Sequence, residues 1–466
     1  MIPFFPKTIA NKGLVMYFVS MAVVSVAFMS YAIGAVWMIL GAIEILLFFL
    51  LSSSLSRQWQ NIPTRLYLRN VFWIALLLRV GWVVFSYFFY MDQTGKPFEF
   101  DAADSIGYHE EAKLLSTMSF GEIWNHYFAS QSGYSDTGYS FYLTFVYKIF
   151  GPSVVVARLF KALYGAIVCL LLYHLACRTV DEKIGRMAGI FAMLMPNLII
   201  YCGLHLKETE MLFLIVAFLE RADYVLRAKK FRAWEVMIPI ALGVSLFFFR
   251  TVLGAVAIVS FVTALVFSQG KLTGKRRKIV VVAWVFLVAL YFVGGTLINE
   301  VEEIWHQRAS NQDLKRELQT AQGNQWAKYA TGTVMAPMMF VMPFATLVDT
   351  DQQNQLVMHA GNYVRNFMGV FVLIALYSTL FVKKDWRNFT LIGSFAIGYL
   401  GVVAFSGFSN SERFLLPGLP CLIVVWVYGI SLLNAKSYKF VKYWYWFVPV
   451  MEIGWAFFKI GSRGLL

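Results

Sequence analysis

LVMYFVSMAVVSVAFMSYAIGAVWMILGAIEILLFFLL, residues 14–51, is nearly continuous apolar sequence. A helix needs about 20 residues to cross a bilayer. The stretch is too long for one span, and it divides near Gly34 into two. Runs of the same kind recur along the whole chain. Of the 466 residues, 59% are hydrophobic, 17% aromatic and only 14% charged. Mean hydropathy is +0.63. A soluble domain is about one-quarter charged, so this composition excludes an ordinary soluble protein. It implies an all-α polytopic membrane protein.

The net charge is +14 and the pI about 9.5. In a soluble protein that balance would suggest nucleic acid. Here the cations lie between apolar runs, so topology accounts for them and no nucleic-acid partner is implied. The start, MIPFFPKTIANKG, lacks a small-residue cleavage site after a short apolar core, so no cleaved signal peptide is expected. Cys169, Cys177, Cys202 and Cys421 lie in or at the ends of apolar segments without metal-ligand spacing, and read as small packing residues.

Working outward from 14–51, a third span is expected at 71–90, making 1–90 a three-helix segment. Residues 91–152 form a first loop. It holds Asp92, Glu99, Asp101, Asp104, Glu110, Glu111, Glu122 and Asp136 against Lys96 and Lys113 in its polar part. The loop closes with the aromatic stretch GYSFYLTFVYKIFG at 138–151, too short to span and suited to an interfacial helix. Residues 153–298 carry spans at 154–177, 186–203, 209–226, a pair within 236–268 broken by Arg250, and 279–298. Residues 299–362 form a second loop, helical at first. Its later part, VMAPMMFVMPFATLV at 334–348, contains two prolines and reads as re-entrant or interfacial. Its methionines would line a lipid entrance or fill gaps in a core. Residues 363–466 hold spans at 363–382, 389–408 and 414–433. The tryptophan-rich tail, 443–460, fits either a span or an interfacial helix. The count is about 12 to 13 membrane helices.

Arg57, Arg65, Arg69, Arg178, Arg227, the cluster at 271–278, Lys383, Lys384 and Lys436 all fall on one side of this arrangement. Cytoplasmic loops carry the excess of Lys and Arg, so that side is inside. The loops at 91–152 and 299–362 then share the outer face. A spanning 334–348 would place Lys383, Lys384 and Lys436 outside, which argues against it. The expected location is a bacterial inner membrane, multi-pass.

Ionisable residues gather at span ends on that outer face. They are Asp101 and Asp104 after the third span, Arg158 and Lys161 at the start of the fourth, and His205, Lys207, Glu208 and Glu210 between the fifth and sixth. Arg250 and the pair Glu412 and Arg413 complete the set. Charges at membrane depth are costly and point to function. Solvated loop acids and snorkelling cations are the plainer account of any single one. If FEFDAADSIGYHEEAK at 98–113 is helical, Asp101, Asp104, Tyr108 and Glu111 share one face.

The motifs follow a known order. Asp104-Ser-Ile-Gly-Tyr108-His resembles the first outer-loop pattern of GT-C glycosyltransferases, above all the family-39-like protein mannosyltransferases and lipid A aminoarabinose transferases. GYSFY at 138–142, followed by FGPSVVVARLFKALYGAIVCLLLY, is similar to their interfacial-helix block. Lys207-Glu208-Thr-Glu210-Met-Leu-Phe213 resembles their acidic second-loop motif, Phe249-Arg250 an arginine turn, and Ser411-Glu412-Arg413-Phe414 with Pro417 and Pro420 a late arginine–proline block. The chain departs from that family in having three spans before the first outer loop, Ser105 after Asp104 in place of a glutamate, and no large soluble C-terminal domain.

The resemblance implies a GT-C fold, and an inverting transfer of a sugar from a polyprenyl-phosphate donor to a protein, lipid or glycan acceptor. It implies Asp104 as the base, with Asp101 second, and Arg250 and Arg413 on the donor phosphate with Arg158, Lys161 and Lys207 behind them. Tyr108, His109, Glu208, Glu210 and Tyr142 become candidates for holding sugar or acceptor. Glu208 would also suit orienting an arginine or holding a metal, and Tyr142 anchoring at the interface. Cations around a lipid phosphate can replace a metal, so no cofactor is expected. A transporter of lipid-linked saccharides remains an alternative, and so does a polymerase or ligase of lipid-linked glycans, for which His205, His306 and His359 would matter.

Overall fold

The computed structural model describes residues 2–129, 136–228, 232–267, 336–405 and 411–461. The span expected at 279–298, the helical stretch after it, the basic cluster at 271–278 and His306 lie outside the described residues. Among those described, every regular element is helical and no strand forms.

Six helices are long and apolar enough to cross a membrane. They are α1 (Lys7–Ala27), α2 (Ala35–Gln58), α3 (Thr64–Thr94), α7 (Val154–Thr179), α13 (Gln353–Val382) and α15 (Glu412–Ser431). The first loop contributes α4 (Ala103–Ser116), α5 (Phe120–Trp124) and α6 (Thr137–Phe150). Then come α8 (Glu182–Leu194), α9 (Pro196–Ile200), α10 (Glu208–Arg227), α11 (Ala233–Phe249) and α12 (Thr251–Phe267). The described chain ends with α14 (Thr390–Phe405) and α16 (Ala435–Gly461). The chain is a multi-pass membrane protein.

The 14–51 stretch breaks between α1 and α2, at Phe28–Gly34, where the sequence placed the division. In α3 the buried stripe is Tyr67, Val71, Ala75, Arg79, Val83, Ser86 and Tyr90, while Trp73, Leu77, Val84 and Phe88 face outward. A soluble helix would put its charged residues on the outer face.

The span expected at 186–203 is not one straight helix. It breaks between α8 and the Pro196–Gly203 segment with a bend of 58°. Pro196 has no N–H and cannot donate to the carbonyl of Ala192, and the bend frees Met193 as well. Arg79 supplies the missing donors. Its guanidinium donates to Ala192 at 3.0 Å, Met193 at 3.3 Å and Ala75 at 3.1 Å, with the side chain fully buried. Gly165 makes room, because a Cβ there would meet the Arg79 side chain at 2.6 Å.

The contacts divide the chain into two compact units. One comprises Gln58–Val281 with Trp386–Phe395, and centres on α7, which packs on α3, α8 and α10. The other comprises Met1–Arg57, Val282–Asp385 and Ala396–Leu466. In it α13 packs on α2, α15 and α16, and α1 packs on α16. The span expected to start at 363 starts at Gln353, because its polar residues His359 and Asn362 are buried. Residues 336–348 form no spanning helix. Asn366 holds this irregular backbone, donating to the carbonyls of Val341 at 2.7 Å and Pro343 at 2.9 Å and accepting from the Ala345 N–H at 3.0 Å. Such internal partners are what irregular backbone needs at membrane depth. The tail is one 27-residue helix, α16, with Pro449 inside it, and it is not among the spans by length and composition. Cys169, Cys202 and Cys421 are buried free thiols, and Cys177 is partly buried.

Candidate active site

Gly95, at a φ of 71°, ends α3, and Asp101, at a φ of 51°, turns the chain into α4. Aspartate is among the few non-glycine residues that visit this left-handed region. The helix begins at Ala103, so Asp101 stands before it. The single face expected for four residues is therefore reduced to Asp104, Tyr108 and Glu111. Asp101 and Asp104 are both exposed. Further along, the face turns toward α6. Tyr108 meets the Tyr139 ring edge-on, with centroids 5.1 Å apart. Glu111 accepts from the Ser140 hydroxyl at 2.6 Å and pairs with His126 at 3.2 Å.

Behind this loop, acids and cations meet in pairs, and three of those pairs use the short turn at 205–210. Lys161 donates to Glu210 at 2.9 Å and to the carbonyl of Leu206, and its ammonium lies 4.7 Å over the Tyr139 ring. Lys207 pairs with Asp136. Glu208 lies 3.9 Å from Arg250, which sits in extended backbone between α11 and α12. Arg158 donates to the Pro97 carbonyl at 2.6 Å and lies 3.9 Å from Glu99. Glu99 in turn accepts from Ser105 and from the His205 N–H at 3.3 Å. Arg158, Lys161 and Glu208 are fully buried, while Arg250 keeps 13% of its side chain exposed. Burial lowers the Lys207 pKa, with the Asp136 charge acting against it.

A chain of rings joins the loop to the same turn. The Tyr147 hydroxyl lies 2.7 Å from His109 Nδ1 and 3.2 Å from His205 Nε2. Burial holds both histidine pKa values below the usual range, His205 the more strongly, with Arg158 and Lys161 adding to it. Both imidazoles are therefore neutral. His205 Nδ1 is buried without a partner. An orphaned lone pair is tolerated better than an orphaned N–H, so the proton belongs on Nε2. His205 then donates to Tyr147, and Tyr147 donates to His109.

A cavity of about 380 Å³ opens beside the Lys161–Glu210 pair. Thr137, Tyr142, Tyr164, Glu210, Phe213 and Phe249 line it, so its wall is apolar apart from a few polar groups. Gly138 sets its width. A Cβ there would meet the Phe249 ring at 2.9 Å and the Phe248 backbone at 3.1 Å, so α6 can approach α11 only at a glycine.

One unit thus brings together Arg158, Lys161, Lys207, Glu208, Glu210, Arg250, His109 and Tyr142, with Asp101, Asp104 and Tyr108 on the loop above. Arg413 belongs to the other unit, in the first turn of α15. Glu99, Asp136 and Tyr147 were not singled out from the sequence. Glu99 and Asp136 read there as two acids among many, and only their partners Arg158 and Lys207 set them apart. Among the described residues, no group of three His, Cys, Asp or Glu side chains is placed to hold a metal ion.

No family model and no curated protein sequence matches the chain. Among solved structures, the chain is similar to an oligosaccharyltransferase of Archaeoglobus fulgidus, crystallised with a tethered acceptor peptide containing an NVT sequon. The two are 14% identical with a TM-score of 0.47, over 86% of this chain and 55% of that one. The chain spans about half the length of that protein, and at this similarity neither its activity nor its acceptor transfers to this chain.

Proposed function

We propose that the chain is a GT-C-type glycosyltransferase of a bacterial inner membrane. It moves a sugar from a polyprenyl-phosphate donor to an acceptor hydroxyl on the extracytoplasmic side. The observation that carries this reading is the turn at 205–210. The first loop, α7 and the arginine between α11 and α12 all send charged side chains to it. These are the segments whose motifs resemble that family, in the same order.

Asp104, exposed at the start of α4, takes the proton of the acceptor hydroxyl as its oxygen attacks the anomeric carbon, and Asp101 is the second candidate. The bond from that carbon to the phosphate oxygen breaks, the lipid phosphate leaves with the electron pair, and the anomeric centre inverts. A positioned base contributes typically about 10²–10⁴-fold. Arg250 and Lys207 receive the phosphate. Arg250 keeps 13% of its side chain exposed, and arginine presents a fork that matches phosphate. Arg158 and Lys161, fully buried and held by carbonyls and acids, set the frame behind them. Arg413, in the other unit, stands as a candidate on its motif alone. Glu208 orients Arg250. Glu210, Tyr142, Tyr108 and His109 border the sugar and acceptor. No metal enters this scheme.

Mass spectrometry of glycans and lipids in cells lacking the gene should reveal a missing sugar, which the wild-type gene restores. Asp104→Asn should fail to restore it at normal expression. Restoration by both Asp104→Asn and Asp101→Asn would remove the base from the scheme, and an unchanged glycan and lipid profile in the deletion strain would remove the function.

A further inference from the structure

The second unit holds ionisable groups that sugar transfer does not use: Tyr17, His359 and Glu452 are buried and Glu44 is partly buried. Tyr17 is midway along α1, about 15 Å from either end at 1.5 Å per residue. Glu44 is at least about 13 Å inside α2 by the same rise. His359 lies on α13 and Glu452 on α16, the latter with no solvent exposure. The Tyr17 hydroxyl lies 2.8 Å from His359 Nε2, and His359 Nδ1 lies 2.5 Å from the Leu356 carbonyl. A carbonyl only accepts, so Nδ1 carries the proton and Tyr17 donates to Nε2. The Tyr17 oxygen keeps lone pairs to accept from a carboxylic acid.

Gly41, one turn before Glu44, presses on this hydrogen bond; a Cβ there would collide with both the Tyr17 oxygen and His359 Nε2. Glu44 and Glu452 both lie within electrostatic reach of the Tyr17 hydroxyl. Both Glu452 carboxyl oxygens, and Oε2 of Glu44, are buried and make no direct hydrogen bond, and the neutral group facing Glu452 is the equally buried Ser20 hydroxyl. The neighbouring ionisable groups have other engagements. Tyr363 donates to the Gly13 carbonyl at 2.7 Å, and Arg365 donates to the carbonyls of Leu415 and Met339. Lys459, two turns beyond Glu452, donates to Gln352 and Gln355. Tyr445 stacks on Phe367, and its hydroxyl is buried without a hydrogen bond.

A bare carboxylate at such a place is costly, and ionisable residues inside a membrane mark ion pathways and proton relays. A proton is the ligand this chemistry fits, because a carboxylic acid can hold it and a phenol and an imidazole stand beside it to exchange hydrogen bonds. We infer that this unit holds a proton-binding site formed by Tyr17, Glu44, His359 and Glu452, at which a buried carboxylic acid takes up and releases a proton. On release the proton passes to water and the carboxylate stays behind; uptake reverses this.

The test treats the full-length protein, in lipid nanodiscs, with a hydrophobic carbodiimide. The reagent adds to protonated carboxylic acids in apolar surroundings, and peptide mass spectrometry locates the adduct. At about pH 7, where a solvated glutamic acid is almost wholly ionised, the adduct should appear on Glu452 or Glu44. Its yield should fall several-fold as the pH is raised to about 9, a range in which solvated carboxyls do not titrate. Tyr17→Phe should shift the midpoint of that fall. An adduct on neither glutamate would overturn the inference. So would a yield that does not change with pH, which describes a permanently protonated structural acid, or a midpoint that ignores Tyr17→Phe.

Discussion

Lys161→Met tests whether the turn at 205–210 is held by charge. The substitution keeps the length of the side chain and removes the ammonium. Glu210, nearly fully buried, then loses its partner, the Leu206 carbonyl loses a donor, and the Tyr139 ring loses its cation. Removing one member of a buried pair costs about 3–5 kcal/mol, most of it for the charge left behind. Glu210→Gln should cost less, about 2–3 kcal/mol, because Lys161 retains the Leu206 carbonyl and gains an amide oxygen. The double variant buries no charge at the site and should lose only about 1–2 kcal/mol. The resulting coupling is at least about 3 kcal/mol. Equilibrium unfolding in mixed micelles, titrated with a denaturing detergent, would read all four proteins. The exposed pair Lys113 and Glu110, 3.8 Å apart, supplies the control; Lys113→Met should shift stability by no more than about 0.5 kcal/mol. Additive costs for Lys161 and Glu210, or single costs no larger than the control, would refute the reasoning.

Two further outcomes follow from the same geometry. Arg79→Leu leaves the carbonyls of Ala192 and Met193 buried without donors. It should destabilise the protein by about 2–6 kcal/mol, at about 1–3 kcal/mol for each orphaned group, and Pro196→Ala in the same background should recover part of the loss. Stability should also depend on pH through His109 and His205. Their pKa values are lowered in the folded protein, so the unfolded chain binds protons first. Their contribution is intact above the ordinary histidine value of about 6.5 and is lost as the pH falls below it. Unfolding midpoints measured across that range should drop on acidification, and the slope should be shallower in His205→Asn.

The membrane character, the break near Gly34, the aromatic helix at 137–150 and the division at Arg250 were all legible in the sequence. Each depends on local composition along one helix. The broken span was not. Its bend needs Pro196, which is visible, and Arg79, which lies more than a hundred residues earlier and reads as one cation in an apolar run. The face drawn through Asp101 failed for a similar reason, since where a helix begins depends on how the chain turns before it. Asp101 supplies that turn with a positive φ that its residue type permits but does not announce.

The sequence by itself determined that the chain resides in a bilayer, where six of its spans lie among the described residues, and which segments carry the ionisable residues. Hydropathy acts over about 20 consecutive residues, and each such window is complete within the chain. Tertiary structure alone decided which acid meets which cation: Glu99 with Arg158, Glu210 with Lys161, Asp136 with Lys207, and Tyr17 with His359. Those partners are far apart in sequence. Their pairing follows from the need to satisfy each buried charge or polar group where water does not reach, a condition that exists only once the helices have packed.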